Sequence, residues 1–473
     1  METEMFRVER DMLGEMPLPA GAYYGAQTAR AVANFPITGQ RMRPEMIHSL
    51  ALIKKAAAIV NRGAGTLDAR IADAITAACD EVMAGKWSDQ FPVDPIQGGA
   101  GTSANMNMNE VVANRAIELL GGEKGDYSLV HPNDHVNCAQ STNDVYPSAG
   151  KLAAIRLLKP FNEALVALQS ALEDKALRFD GIVKVGRTQL QDAVPIRLGQ
   201  EFRAYAAVVG RDRRRLQAAA EELRALNLGG TAVGTGINAS HGYIERIVGE
   251  VSHLSGERFV QAEDLIDATQ NADCYVALSG ALKACAVSLS KIASDLRLMS
   301  SGPLAGLGEI RLPARQNGSS IMPGKVNPVI PEVVNQIAFS VIGNDMTIAL
   351  AAESGQLELN AFEPIIFHKL FESIATLTSG VRVLAERCVK GIQADEARCR
   401  QLVERSAGVA AALCPIVGYT RASSLAKEAL ATGMRVETLA LEGGLAPETV
   451  LREALDPYGM TVLPSAQHQA VAK

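Results

Sequence analysis

The chain has 473 residues, of which 48% are hydrophobic and 21% charged, as in ordinary soluble globular proteins. Its net charge of −6 offers no basic surface for nucleic acid, and its seven scattered cysteines show neither zinc-ligand spacing nor an even disulfide set. The first ten residues are charged and lack the apolar core of a signal peptide. We expect no apolar segment long enough to span a bilayer. These features predict a cytoplasmic protein with reduced thiols, bound neither to nucleic acid nor to a membrane.

The first 150 residues alternate between helical patterns and loop-rich stretches. Residues 1–40 contain Pro17, Pro19 and Gly21 and read as irregular, because proline and glycine interrupt regular structure. Apolar residues then recur at helical spacing, and a polar, glycine-rich segment opens into another helical run. The helical stretches fall at 43–85 and 110–120, the polar segment at 91–109, and a second loop-rich stretch at 121–150.

The middle of the chain consists of long amphipathic patterns with few aromatic residues. Their length and their low β-branched content predict an all-α fold built around an elongated helical bundle. Their alanine-rich faces are broader than one bundle needs, so part of this surface is expected to pack against other subunits. Shorter helices are predicted after about residue 398, and the long ones at 151–179, 197–226, 262–300, 329–357 and 364–392.

One loop between two of these long helices, residues 318–328, reads GSSIMPGKVNP. Its two prolines and two glycines exclude a regular helix, and irregular backbone between rigid elements is a common place for function. Lys325 and Asn327 can grip a carboxylate, while Ser319 and Ser320 offer hydroxyl groups beside them. The alternative is a plain glycine-proline connector.

Three further segments, residues 97–110, 131–144 and 186–195, are also rich in Thr, Ser, Asn and Gln. With the loop they provide neutral donors and one lysine, but no paired acids, Cys/His cluster, phosphate loop or dinucleotide fingerprint. This set predicts a pocket for a small carboxylate, with no metal and no cofactor. Helix capping would place the same residue types at 141–144, and it is compatible with binding because a helix N-terminus favours an anion.

The loop resembles the signature of the aspartase/fumarase superfamily, and the other polar segments match that family in order along nearly the whole chain. The resemblance implies three mostly helical domains, with a long central five-helix bundle that packs into a tetrameric helical core. Each active site would take segments from three subunits of a homotetramer and bind a small dicarboxylate substrate. The implied domains are an N-terminal helical domain at 1–143, a central bundle domain at 144–398 and a small C-terminal helical domain at 399–473.

The resemblance also implies a β-elimination, in which a base removes a proton from the carbon next to a carboxylate and an enediolate forms. Ser319 matches the general base of the family, and it could act only as an alkoxide that backbone donors stabilise. By the same resemblance, the enediolate would be bound by Thr102, Ser141, Thr142 and Ser320. The other carboxylate would be bound by Thr188, Lys325 and Asn327. The amino group would be held by Asn143 with Thr102 and Gln189.

The leaving group distinguishes the members of this superfamily. Fumarases carry histidine where this chain has Gln189, and glutamine cannot exchange a proton with water. Fumarases also carry serine where this chain has Ala100. Both departures are similar to the branch that acts on aspartate. The expected reaction is therefore the reversible elimination of ammonia from L-aspartate to give fumarate, catalysed by a carbon–nitrogen lyase.

Three alternatives stay open. Class II fumarase is favoured by the sequence HPND at 131–134, which resembles a secondary anion site of fumarases, although His131 and His135 fit a surface pair equally well. A lyase on another N-substituted succinate is the second. A structural helical oligomer is the third, because the superfamily includes lens crystallins, and the retained Ser319, Lys325 and Asn327 argue against it.

Overall fold

The computed structural model describes residues 6–463, and these form an all-α fold with short two-stranded β pairs beside the helices. The predicted fold class is confirmed. The helices are α1 (Ala26–Asn34), α2 (Pro44–Gly63), α3 (Ala69–Met83), α4 (Thr102–Leu119), α5 (Thr142–Arg178), α6 (Leu198–Glu222), α7 (His241–Ser255), α8 (Asp267–Gln270), α9 (Asp273–Met299), α10 (Val329–Glu353), α11 (Glu363–Arg387), α12 (Glu396–Arg405), α13 (Cys414–Val417), α14 (Tyr419–Thr432), α15 (Val436–Glu442) and α16 (Glu448–Ala454).

The strands pair only in twos. Three of the pairs are antiparallel, and the pair formed by β5 and β6 is parallel. The pairs are β1 (Phe6–Asp11) with β2 (Gly14–Pro19), β3 (Val183–Thr188) with β4 (Gln191–Arg197), β5 (Ala225–Leu226) with β6 (Val260–Gln261), and β7 (Ile310–Arg311) with β8 (Gln393–Ala394).

The five long helical predictions correspond to α5, α6, α9, α10 and α11, because apolar spacing over many turns is a strong signal. Two of their starts were misplaced, since α5 begins at Thr142 and not at 151, and α9 begins at Asp273 and not at 262. Two other expectations were wrong. The N-terminal region is not irregular, since residues 6–19 form a β hairpin and α1 follows it. Pro17 and Pro19 fit β2 because every strand of a two-stranded pair is an edge, where a missing N–H is tolerated. Helix α4 begins at Thr102, eight positions before the expected start at 110, inside the polar segment.

The described residues divide between two compact units. Of the described residues, unit 1 comprises 6–162, 213–286 and 339–378, and unit 2 comprises 163–212, 287–338 and 379–463. The boundaries between these ranges fall inside the five long helices. A division into domains at 143/144 and 398/399 stays a prediction.

The core of unit 1 contains an aromatic cluster around Phe367 of α11. Its ring centroid lies 5.6 Å from that of Tyr146 in α5 and 5.0 Å from that of Tyr275 in α9. Phe371 stacks on it one turn further along α11, at 5.6 Å. All four side chains are buried, so they join three of the long helices within this unit.

Unit 2 joins its parts of the long helices with both rings and polar bonds. Phe202 of α6 lies 5.4 Å from Phe179, which directly follows α5. The hydroxyl of Tyr205 donates to Asp295 of α9 at 2.9 Å. The amide Nδ2 of Asn335 in α10 donates to the carbonyl of Ser290 at 3.0 Å. These buried or half-buried bonds fix how the helices pack inside this unit.

Two helices, α9 and α10, are long and apolar enough to cross a membrane by length and composition. The expectation that no segment has this length and composition was therefore wrong. The same criterion is met by core helices of soluble proteins, and 44% and 33% of the two apolar windows are buried in the structure. Both helices also take part in polar bonds, as when Ser279 of α9 donates to Asp345 of α10 at 2.7 Å. This composition is weak evidence for a membrane.

Candidate active site

Helix α4 begins in the first polar segment, directly after a turn of three small residues, Gly99 to Gly101. Thr102 is its first residue and is exposed, and its Oγ1 donates to the carbonyl of Gly99 at 2.7 Å. The first backbone N–H groups of a helix lack partners within the helix. Thr102 therefore lies where a helix end and a hydroxyl can both face a small anion.

Helix α5 begins in the second polar segment. The backbone N–H of Ser141 donates to Asp144 Oδ1 at 2.9 Å, and Ser141 Oγ accepts from the N–H of Asn143 at 3.2 Å. This reciprocal pair caps the helix, so the capping interpretation of these residues is correct. Thr142 begins α5, and the amide of Asn143 donates to the carbonyl of Ala232 at 2.7 Å.

The side chain of Asp144 fixes this turn to the rest of unit 1. It is fully buried, and its Oδ2 accepts from the N–H groups of Gly229 and Thr231 at 3.0 and 3.1 Å. Burial raises the pKa of Asp144 to about 6, while the backbone donors act in the opposite direction.

A network of buried amides joins the starts of α4 and α5. Asn105 Nδ2 lies 3.1 Å from Thr142 Oγ1 and 3.2 Å from Asn137 Oδ1, and Asn109 Nδ2 donates to the same oxygen at 3.1 Å. The structure therefore brings Thr102 and residues 141–143 to neighbouring helix ends of unit 1. The Asn105 amide therefore fixes the position of the Thr142 hydroxyl oxygen.

Lys54 of α2 is a site-supporting residue that the sequence analysis missed. Its side chain is fully buried, and its amine donates to Asn137 Oδ1 at 2.8 Å and to Gln140 Oε1 at 3.0 Å. Burial lowers the pKa of Lys54 to about 7, against a smaller opposing effect of Asp144. No local signal marked it, because two adjacent lysines, Lys54 and Lys55, interrupt the apolar stretch from Leu50 to Ala58 and the sequence does not distinguish the buried one.

The third polar segment forms the hairpin of β3 and β4 in unit 2. Thr188 pairs with Gln191, so Gln189 and Leu190 make a two-residue turn with φ of 54° and 63°. Both angles lie in the left-handed region, which is unfavourable for residues other than glycine, asparagine and aspartate. The side chains of Thr188 and Gln189 are exposed at this tip, which is where a ligand could reach them.

The loop at 318–328 is closed by its own backbone and one amide. The N–H of Gly318 donates to the carbonyl of Lys325 at 2.8 Å, and Asn327 Nδ2 donates to the carbonyl of Gly318 at 2.9 Å. Ser319 Oγ accepts from the N–H groups of Ile321 and Met322 at 3.2 and 3.0 Å. The Ser319 oxygen therefore sits in a small nest of backbone donors.

Ser320 and Lys325 are exposed. Among residues 6–463, the hydrogen bonds of the hairpin tip stay within the hairpin. Those of the loop stay within the loop apart from two at the start of α10, where the carbonyls of Asn327 and Pro328 accept from the N–H groups of Val329 and Glu332. The structure thus brings the predicted residues together in three local groups, namely Thr102 with 141–143 in unit 1, and the hairpin tip and the loop in unit 2. The described part of the chain contains no group of three or more His, Cys, Asp or Glu side chains arranged for a metal ion.

Comparison with known proteins identifies the family. A family model described as lyase matches residues 14–343, and a model of the fumarase C C-terminus matches residues 409–462. This chain belongs to the lyase family. The resemblance to the aspartase/fumarase superfamily is therefore confirmed.

Curated relatives of this lyase match over nearly their whole length. An aspartate ammonia-lyase of Bacillus subtilis is 53% identical over 96% of both chains. An aspartate ammonia-lyase of Helicobacter pylori is 51% identical over 96% of this chain and 97% of its own. An aspartate ammonia-lyase of Escherichia coli is 49% identical over 94% of both chains.

Solved structures share the fold of this lyase. A fumarate lyase:delta crystallin from Brucella melitensis bound to cobalt has a TM-score of 0.94 and 52% identity, covering 97% of this chain and 100% of its own. A class II fumarase from Schistosoma mansoni has a TM-score of 0.94 at 35% identity, and the match covers 97% of this chain and 99% of the fumarase. One helical architecture therefore serves relatives that carry different names.

Proposed function

We propose that this lyase is an aspartate ammonia-lyase, a carbon–nitrogen lyase that converts L-aspartate reversibly to fumarate and ammonia. The observation that carries the proposal is the 49–53% identity to curated aspartate ammonia-lyases over at least 94% of each chain. The exposed Gln189 at the hairpin tip supports it, because an amide can bind an amino group but cannot pass a proton to departing hydroxide.

Ser319 is the general base in this proposal. It removes a proton from the carbon beside one substrate carboxylate, and the resulting negative charge spreads onto that carboxylate as an enediolate. The two N–H groups that donate to Ser319 Oγ stabilise its alkoxide form, which gives a hydroxyl the basicity that it otherwise lacks. The bond from carbon to the protonated amino group then breaks, its electron pair leaves with the nitrogen as neutral ammonia, and a carbon–carbon double bond forms while the abstracted proton stays on Ser319.

The enediolate is bound by neutral donors in this mechanism. Thr102 and Thr142 are each the first residue of a helix, and Ser141 precedes the second of these helices. The helix dipole favours negative charge at such ends. With Ser320 from the loop, they stabilise charge that develops only as the proton leaves, and this lowers the barrier.

The second carboxylate and the amino group use the remaining predicted residues. Thr188 and Lys325 bind the carboxylate by a hydroxyl donor and a charge-assisted hydrogen bond. Asn327 lies beside Lys325 in the loop, although its amide also closes the loop onto Gly318. Asn143 orients the amino group together with Thr102 and Gln189.

The assembly in this proposal is a homotetramer in which three subunits contribute to each active site. Of the predicted residues, Thr102 and residues 141–143 belong to unit 1, and the hairpin tip and the loop belong to unit 2. Helix α10 also carries an exposed apolar stripe at helical spacing, and Phe339 and Met346 are 64% and 63% exposed. Such a stripe is typical of a face that packs against another subunit. We place the enzyme in the cytoplasm.

Fumarate formation tests the proposal directly. Purified protein would be offered L-aspartate and L-malate separately, and fumarate would be followed by its ultraviolet absorbance. Fumarate from aspartate alone is the expected result. Fumarate from malate alone would overturn the proposal in favour of a class II fumarase, which the fold shared with the Schistosoma mansoni enzyme keeps as the second candidate. Activity with neither substrate would favour another N-substituted succinate or the structural role.

A further inference from the structure

The hairpin of β3 and β4 contains an irregularity just before its tip. Val185 pairs with Pro195 and Arg187 pairs with Asp192, so Ala193 and Val194 together face the single residue Gly186. This is a β-bulge, which bends and twists a strand pair locally. A side chain at position 186 would place its Cβ 2.6 Å from the carbonyl oxygen of Val194, so the position requires glycine.

The bulge accompanies an unusual direction of two cations on β3. Lys184 and Arg187 are three residues apart and would point to opposite faces of a regular strand. Instead both contact the carboxylate of Glu309. The Lys184 amine lies 3.2 Å from Oε2, and Arg187 Nη1 lies 2.7 Å from Oε1. We attribute this shared direction to the added twist at Gly186.

Glu309 is well placed to act as an anchor. Its side chain is completely buried, and its backbone is fixed on both sides. Its N–H donates to the carbonyl of Met299 at the end of α9, and its carbonyl accepts from the N–H of Asp395 just before α12, both at 2.9 Å. The carboxylate therefore occupies a position that the helices determine, independently of the hairpin.

The charges around Glu309 are balanced by a second acid. Lys184 also lies 3.1 Å from Glu201 of α6, so two cations meet two carboxyl groups. Burial raises the pKa of Glu201, against the opposing effect of Lys184. A buried charge is tolerated only when it is paired in this way. Of the two acids only Glu309 bonds Arg187, the residue that leads into the tip.

The tip needs such an anchor because its backbone is unfavourable. Gln189 and Leu190 both have positive φ, a strained conformation for residues other than glycine that persists only where the surroundings enforce it. The Arg187 side chain is mostly buried and immediately precedes Thr188. Its bond to Glu309 thus fixes the last point of the hairpin before the exposed turn.

We propose that Glu309 is a positioning residue that aligns Thr188 and Gln189 with the substrate through its buried bond to Arg187. The inference rests on the proposed function, in which these two hairpin residues bind substrate. Glu309 does not touch the substrate, and its effect is transmitted by the backbone between Arg187 and the turn. A loosened hairpin would weaken the binding of substrate and transition state together, and therefore raise KM more than it lowers kcat.

The test compares Glu309→Gln with Glu201→Gln in the assembled enzyme. Both changes remove one carboxylate from the same buried cluster and leave Lys184 with one fewer anion, but only the first removes the carboxylate that binds Arg187. Glu309→Gln is expected to raise KM for L-aspartate by about tenfold or more, with a smaller loss of kcat, while Glu201→Gln changes KM less than about twofold. Equal KM changes in the two variants would reduce the cluster to a structural role and overturn the proposal.

Arg187→Lys keeps the proposal testable if Glu309→Gln does not fold. It preserves the charge next to Glu309 but loses the planar guanidinium group, and it is expected to raise KM by a similar factor. An unchanged KM in Arg187→Lys would contradict the proposal, as would an unchanged KM in Glu309→Gln.

Thr188→Val separates this inference from the proposed function. Thr188→Val should raise KM, and Glu309→Gln added to it should raise KM less than it does alone, because both changes act on one tip. If Thr188→Val leaves KM unchanged, the assigned role of the hairpin in substrate binding is wrong, and the positioning inference is overturned with it. If Thr188→Val raises KM but Glu309→Gln does not, only the positioning inference is wrong.

Discussion

The turn at 137–144 and the loop at 318–328 both present hydroxyl and amide groups, yet they are fixed in different ways. Buried side chains of other elements fix the turn, namely Lys54 of α2 and Asn105 of α4. The loop is closed by bonds among its own residues, and much of it is exposed. In the proposed mechanism this difference makes the turn the rigid platform for developing charge and the loop the segment that carries the proposed base and adjusts to the substrate.

The largest expected effect is in the loop. Ser319→Ala removes the proposed base without removing a side chain from the core, so kcat should fall by about 10³-fold or more. Steady-state kinetics would measure this loss, with size-exclusion chromatography as the check that the assembly is intact. A variant that kept more than about a tenth of the activity would assign the base to another residue.

Lys325→Ala should have the next largest effect. Losing a charged donor to the second carboxylate should raise KM for L-aspartate by about 10–100-fold, with kcat less affected. Lys390→Ala is the matched control, because Lys390 is another exposed lysine of unit 2 and pairs only with Glu386 in the structure. Equal KM values for the two variants would remove Lys325 from the binding site.

Lys54→Met should distinguish the rigid turn from the loop by its kinetic signature. Losing the bonds to Asn137 and Gln140 misorients the residues that stabilise the enediolate, so kcat should fall by about tenfold with a smaller change in KM. Lys175→Met is the control, because Lys175 is also buried but donates to the carbonyl of Ile392 in unit 2. A change in KM alone for Lys54→Met would break the comparison between turn and loop.

The smallest predicted effect concerns pH and the stability of the turn. The pKa of Lys54 is about 7 in the folded chain against an ordinary 10.5, so the unfolded chain binds more protons between these values. The free energy of unfolding of the wild type should then rise relative to Lys54→Met as pH increases through this window, by on the order of 1–3 kcal/mol between about pH 6.5 and about pH 9. Denaturant unfolding at one protein concentration would measure it, and a constant difference would show that Lys54 titrates normally.

The sequence predicts the long helices well because each carries many turns of apolar spacing. It does not predict the hairpins, since β3 and β4 are short and their pairing depends on a two-residue turn without glycine. The start of α4 was misplaced because its first turn, from Thr102, is polar and reads as loop.

The predicted site residues came from motifs that are contiguous in the chain. The residues that fix them are distant in sequence, and no local pattern marks them. Lys54 lies 83 positions before its partner Asn137, and Glu309 lies 122 positions after Arg187. Such pairings follow from tertiary packing, which a single sequence does not encode in any periodic signal.

The bulge opposite Gly186 makes chain length as important as composition in this hairpin. Deleting either Ala193 or Val194 would leave an unbroken ladder that could still close the same turn. In such a shortened hairpin the side chain of Arg187 would lie on the opposite face of the strand pair from Lys184, away from Glu309. If the hairpin has the proposed role, substitutions at these two positions should therefore preserve activity better than a one-residue deletion, and a hairpin taken from a relative should be matched in length before it is matched in sequence.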